Sequence, residues 1–141
     1  MKICVLSDSH GAAFRMIEAV RQEVPDFVFF LGDGEGDLNL LRKEFPTLPA
    51  ELVCRVGSCL FFLTHGHRFG VKYERNFRSL TAEARKNGAQ AALFGHTHEA
   101  YLERLEDEVL LMNPGSLRGY GASYGILEIR EGKIIPRIVR L

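Results

Sequence analysis

Apolar runs recur along the first two thirds of the chain, and each ends in a polar loop. They are Lys2 to Leu6, Phe27 to Leu31, Leu60 to Leu63 and Ala91 to Phe94. The second carries no polar alternation, as expected for a strand covered on both faces of a parallel sheet. Between the first two runs, Ala13, Met16, Ile17 and Val20 recur at helical spacing with Arg15, Glu18 and Arg21 between them. This predicts an amphipathic helix closed by Pro25, and strand, helix and strand together read as a right-handed βαβ unit. Asp37 directly precedes the stripe Leu38, Leu41 and Phe45 and reads as the cap of a helix from Leu38 to Phe45, broken by Pro46 and Pro49. The stretch from Glu51 to Val56, then Gly57-Ser58, then Cys59 to Thr64, reads as two strands joined by a tight turn. A third helix places Tyr73, Phe77, Leu80 and Ala84 on one face and stops near Asn87-Gly88.

From Ala100 onward the period changes to two, over Tyr101 to Leu105, Val109 to Met112, Tyr124 to Ile129 and Ile134 to Val139, with Glu131-Gly132 as a hairpin turn. These read as antiparallel strands. The expected fold is α/β in an α+β sandwich, with two packed mixed β-sheets flanked by helices in four layers. No repeat or linker divides it, so residues 1–141 are expected to form a single domain.

Composition narrows the function classes. Eighteen Lys plus Arg balance eighteen Asp plus Glu, so charge gives no strong signal for nucleic acid and none for a membrane surface. The N-terminal apolar run is too short for a signal peptide or a membrane span, and a cytoplasmic protein is expected. Cys4, Cys54 and Cys59 lie in or beside apolar runs without Cys-x-x-Cys spacing and read as buried thiols.

The loops carry the chemistry. Asp8-Ser9-His10-Gly11 follows the first run, Gly32-Asp33-Gly34 the second, His65-Gly66-His67 the third, and Gly95-His96-Thr97-His98 the fourth. All five histidines of the chain fall in these loops. In open α/β sheets the carboxyl ends of the strands share one edge, where such folds place their sites. Two carboxylates and several imidazoles arriving there suit Mn²⁺, Fe²⁺, Ni²⁺ or Zn²⁺ better than the all-oxygen sites of Ca²⁺ or Mg²⁺. One carboxylate can bridge two ions about 3.5–4 Å apart, a spacing at which they clamp a phosphate and activate a water.

The ordered motifs Asp-x-His, Gly-Asp, His-Gly-His and Gly-His-Thr-His resemble those of the calcineurin-like metallophosphoesterases. Thr64 to His67 and Asn113-Pro114-Gly115-Ser116 look like the small bacterial and archaeal phosphodiesterase branch. The resemblance implies that Asp8, His10 and His98 hold a first metal, that His65 and His96 hold a second, and that Asp33 bridges them. It implies two divalent transition-metal ions, Mn²⁺ foremost, and hydrolysis of a small phosphodiester or nucleotide-like substrate by a metal-bridging hydroxide. Thr97 and the turn from Asn113 to Ser116 would support the histidine loops. His67 is the candidate catalytic residue, as general acid or phosphate donor, with a simple loop hydrogen bond as the alternative. Arg68 and Arg118 are further candidates to meet a phosphate, against solvated surface; Tyr120 and Tyr124 read as core or groove wall. Self-association is left open.

The chain departs from that family in one place. Relatives carry a Gly-Asn-x-Asp or Gly-Asn-His motif between the Gly-Asp loop and the later histidines, and its Asn is a ligand of the second metal. No such Asn is present here, and a strand with its loop is missing after residue 49. Gly57-Ser58-Cys59 reads as a hairpin turn rather than a degenerate copy, with Ser58 or water left to fill the Asn position. The alternative function is a catalytically impaired scaffold of the same fold, serving protein–protein interaction as the retromer subunit of this fold does.

Overall fold

The computed structural model describes residues 1–45, 47–48 and 52–141. Pro46 and Pro49, expected to break the second helix, and Glu51, expected to open the hairpin, lie outside the described residues. Among the described residues, ten strands form two five-stranded sheets. The first contains β1 (Lys2–Leu6), β2 (Phe27–Phe30), β3 (Thr47–Leu48), β9 (Ser123–Arg130) and β10 (Lys133–Arg140), in the order β10-β9-β1-β2-β3. The second contains β4 (Leu52–Val56), β5 (Cys59–Leu63), β6 (Ala91–Leu93), β7 (Tyr101–Arg104) and β8 (Leu110–Asn113), in the order β4-β5-β6-β8-β7.

Both sheets are mixed. β1, β2 and β3 run parallel, as do β5, β6 and β8, with antiparallel strands outside them. β8 therefore corrects the reading of the C-terminal strands as antiparallel: it is antiparallel to β7 and parallel to β6. A run of period two fixes which face is buried, whereas direction depends on the neighbour. β3 is a second correction, since a short strand stands at the sheet edge where the sequence suggested a break.

The apolar runs serve two interfaces at once. Ile3, Val5, Phe29 and Leu31 meet Phe61, Leu63, Ala91, Leu93, Leu110 and Met112 between the sheets. Their sequence neighbours Cys4, Leu6, Val28 and Phe30 point the other way, onto Met16, Ala19 and Val20 of α1 (Ala13–Glu23) and Leu38 and Leu41 of α2 (Glu35–Arg42). Phe62, Ala92, Phe94 and Leu111 likewise meet Leu80 and Ala84 of α3 (Arg78–Lys86). Alternate residues of each strand face opposite sides, so a strand between two apolar layers must be apolar throughout. The layers run helix, sheet, sheet, helix.

Three local readings change. α2 starts at Glu35 with Gly34 as its cap, so Asp37 lies in the first turn and is not the capping residue. α3 starts only at Arg78, because Asn76 and Phe77 take left-handed φ of 56° and 51°. Tyr73 consequently stands in solvent rather than on the buried face. Tyr120 is fully exposed, while Tyr124 is buried as expected. Cys4 and Cys59 are buried, Cys54 is partly buried, and all three are free. Among the described residues no helix is long and apolar enough to cross a membrane.

Candidate metal centre

The parallel strands deliver their carboxyl ends to one edge, and the two sheets bring those ends together. Asp8 and His10 leave β1, Asp33 leaves β2, His65 and His67 leave β5, and His96 and His98 leave β6. Backbone bonds bind neighbouring loops: the Asp8 amide donates to the Gly32 carbonyl at 3.0 Å, and the Gly95 amide to the His65 carbonyl at 3.0 Å. One donor atom each from Asp8, His10, Asp33 and His98 lies within 4.8 Å of the others. His10 Nε2 is 3.1 Å from Asp33 Oδ2 and 3.1 Å from His98 Nε2. His98 Nε2 is 3.3 Å from Asp8 Oδ1.

The remaining imidazoles adjoin this group. His65 Nε2 stands 3.9 Å from Asp8 Oδ1 and 3.2 Å from His96 Nδ1. His65 Nδ1 is 3.1 Å from the Leu31 carbonyl, which can only accept, so Nδ1 carries the proton and Nε2 keeps its lone pair toward the site. Burial pulls the His96 imidazole below its ordinary pKa, helped by the charges of Lys72, His65 and His67 and opposed by Asp8. A neutral ring is the form that coordinates metal.

Asp8 provides the sharpest test of whether an ion fits. It is fully buried. Its Oδ2 accepts from Ser7 Oγ at 2.6 Å and from the His96 amide at 3.0 Å. Its Oδ1 has no hydrogen-bond partner, and among the described residues it is the buried side-chain oxygen left in that state. A buried, unpartnered carboxylate oxygen facing imidazole nitrogens costs free energy unless a cation meets it. The donor set of carboxylates and imidazoles therefore fits a divalent transition metal.

Close backbone approach makes this geometry possible. A Cβ on Gly95 would stand 2.1 Å from Ser7 Oγ and 2.6 Å from Asp8 Oδ2, so only glycine lets the histidine loop reach Asp8. Asn113 holds the same loop, its Nδ2 donating to the Gly95 carbonyl at 3.0 Å and to Thr97 Oγ1 at 2.9 Å. Ser116 Oγ donates to the Asp8 carbonyl at 2.7 Å. Asp8, His10, Asp33, His96 and His98 all have positive φ, from 43° to 69°.

The other sequence candidates divide. His67 is exposed on a short 3₁₀ turn, its ring 5.5 Å from that of His65. It lines a cavity of about 510 Å³ with Gly32, Asp33, Gly34, Glu35, His65 and His96. Arg68 and Arg118 are exposed beyond this cavity's lining. Ser58 does not reach the site: it precedes β5 at the strand's opposite end, beside Gly132. Asp37 and Lys72 are the residues that sequence reasoning missed. Asp37 accepts from Ser9 and Gly11, and Lys72 lends its charge to the His96 environment.

Comparisons with known proteins agree on a family and a fold. The family model for the calcineurin-like phosphoesterase superfamily domain matches residues 34–132. The Bacillus subtilis protein named probable metallophosphoesterase YsnB is 29% identical over 136 residues, covering 84% of this chain and 76% of that one. Phosphodiesterase MJ0936 of Methanocaldococcus jannaschii is 39% identical over 155 aligned positions, covering 85% of this chain and 86% of that one. A Streptococcus pneumoniae protein described as a predicted phosphoesterase superposes with a TM-score of 0.80 at 30% identity, covering 99% of this chain and 88% of its own. Vps29 of Entamoeba histolytica, solved with Zn²⁺, shares the fold, with a TM-score of 0.74 at 18% identity over 99% of each chain. On this sequence match and this fold, the chain belongs to the calcineurin-like phosphoesterase superfamily.

Proposed function

We propose that residues 1–141 form one metallophosphoesterase domain that hydrolyses small phosphodiesters or nucleotide-like substrates at a centre of two divalent transition-metal ions. Asp8, His10 and His98 would hold one ion, His65 and His96 the other, and Asp33 would lie between them. The observation that carries this reading is the unpartnered Asp8 Oδ1 at the meeting point of the imidazoles. Bound ions supply the positive charge that lowers the pKa of water and offsets charge developing on phosphoryl oxygens.

The chain's own groups do the rest. The Leu31 carbonyl fixes the His65 tautomer, and Asn113 fixes the loop that bears His96 and His98. His67, exposed on the cavity rim, donates a proton to the departing oxygen. The expected result is hydrolysis of bis(p-nitrophenyl) phosphate in the presence of Mn²⁺, abolished by Asp33→Ala and lowered about 10²- to 10⁴-fold by His67→Ala. A folded, metal-loaded sample that hydrolyses neither mono- nor diesters with Mn²⁺, Ni²⁺ or Zn²⁺ would overturn the proposal.

One observation favours a second reading, the impaired scaffold. The alignment with the M. jannaschii relative runs over 155 positions, more than this chain's 141 residues, so that relative has residues without a counterpart here. Elemental analysis of metal per chain separates the readings. Two ions support the phosphodiesterase, and one or none supports the scaffold.

A further inference from the structure

Asp37 ties together the two loops that carry the first group of donors. α2 begins two residues after Asp33, and Asp37 sits in its first turn. Side chains there lean back toward the helix N-terminus, and a carboxylate is favoured by the helix dipole. Asp37 thereby reaches the loop after β1. Its Oδ2 accepts from Ser9 Oγ at 2.7 Å and from the Gly11 amide at 2.7 Å. These two donors flank His10 in sequence, so one oxygen grips the loop on both sides of the histidine.

The grip counters a conformational cost. Asp8 and His10 have φ of 52° and 43°, in the left-handed region that costs L-residues free energy. Such strain persists only where surrounding contacts over-determine it. Gly34 completes the arrangement, since a Cβ there would stand 2.0 Å from Ser9 Oγ. The segment 33–37 therefore supplies Asp33, leaves room for Ser9 and holds His10 where its Nε2 is 3.1 Å from Asp33 Oδ2 and 3.1 Å from His98 Nε2.

We infer that Asp37 is a positioning residue for the metal centre, locking the 8–11 loop so that His10 meets Asp33 and His98 in a geometry ready for an ion. This rests on the metal-centre reading above. The mechanism is geometric, since Asp37 touches the loop and not the ion. Asn at this position keeps an acceptor oxygen for the Gly11 amide and a polar partner for Ser9, whereas Ala keeps neither.

The test is a Co²⁺ titration followed by calorimetry and by the ligand-field absorption of the bound ion, with thermal melting of each metal-free variant alongside. Asp37→Ala should weaken Co²⁺ binding about 10- to 100-fold, the range found for groups that support metal ligands, and should change the absorption band at saturation. Asp37→Asn should restore most of the affinity and the wild-type band. Ser9→Ala removes one of the two hydrogen bonds and should fall between wild type and Asp37→Ala; it also carries the test if Asp37→Ala does not fold. Wild-type affinity and an unchanged band in Asp37→Ala, or in Ser9→Ala if that is the folded variant, would overturn the role. So would an Asn variant no better than Ala, which would assign the effect to charge. A wild-type protein that takes up no Co²⁺ overturns the metal centre itself, and the positioning role with it.

Discussion

Asp8 carries opposing demands: one oxygen is fully bonded, while the other is buried with nothing to accept from. In the metal-free protein such an oxygen costs about 1–3 kcal/mol. Asp8→Asn can keep the bonded oxygen and turn an amide toward the imidazole nitrogens. The expected outcome is a metal-free melting temperature equal to or above wild type, with Co²⁺ or Mn²⁺ binding lost; calorimetry in chelator and then in metal measures both. Gly95→Ala should behave differently, because its Cβ would overlap Ser7 Oγ and Asp8 Oδ2. It should lower stability by about 1–3 kcal/mol and abolish metal binding together. The histidines were legible in the sequence because each sits where an apolar run ends. Asp37 was not, because an Asp before an apolar stripe has the same signature whether it caps its own helix or reaches across to another loop.

At the scale of elements, α3 shows what a helical period can and cannot say. Leu80 and Ala84 are buried against Phe62, Ala92 and Phe94, as the spacing requires. Tyr73 shares that spacing, yet the left-handed Asn76 and Phe77 reset the chain before it can share the face. Hydrophobic period reports burial only while the helix is unbroken, and this break has no Gly or Pro to announce it. Leu80→Ala should cost about 2–5 kcal/mol in denaturant unfolding, whereas Tyr73→Ala should stay within about 0.5 kcal/mol of wild type. The hairpin β4–β5 was legible because Gly57-Ser58 leaves little choice of register. The parallel pairing of β6 with β8 was not, since it depends on a partner more than a dozen residues away.

Across the whole molecule, Glu23 joins elements far apart in sequence. Lying at the end of α1, it accepts from Tyr124 of β9 at 3.0 Å and from Arg137 of β10 at 2.8 Å, and Lys2 of β1 lies 3.5 Å away. Burial pushes its carboxyl upward, but the hydrogen bonds from Arg137 and Tyr124 and the charges of Arg137 and Lys2 outweigh that and hold it below the usual range. A folded-state pKa below the unfolded one contributes stability that is present above about pH 4.3 and is lost as pH falls through the lower folded value. Melting temperature should therefore drop on acidification in that window, and Glu23→Gln should flatten the drop while lowering stability at neutral pH.

The meeting of two sheets at one edge also gives any bound ion a mechanical role. Asp8, His10 and Asp33 come from the first sheet, and His65, His96 and His98 from the second. An ion shared by His10 and His98 is a reversible cross-link between positions 88 residues apart, working as a clasp across the seam of the sandwich. At a free concentration a hundredfold above its dissociation constant it would add about 2.7 kcal/mol to stability, and chelator should remove that increment. Amide exchange should then slow on both sides of the seam together when metal is added, so that the two sheets open as one cooperative unit.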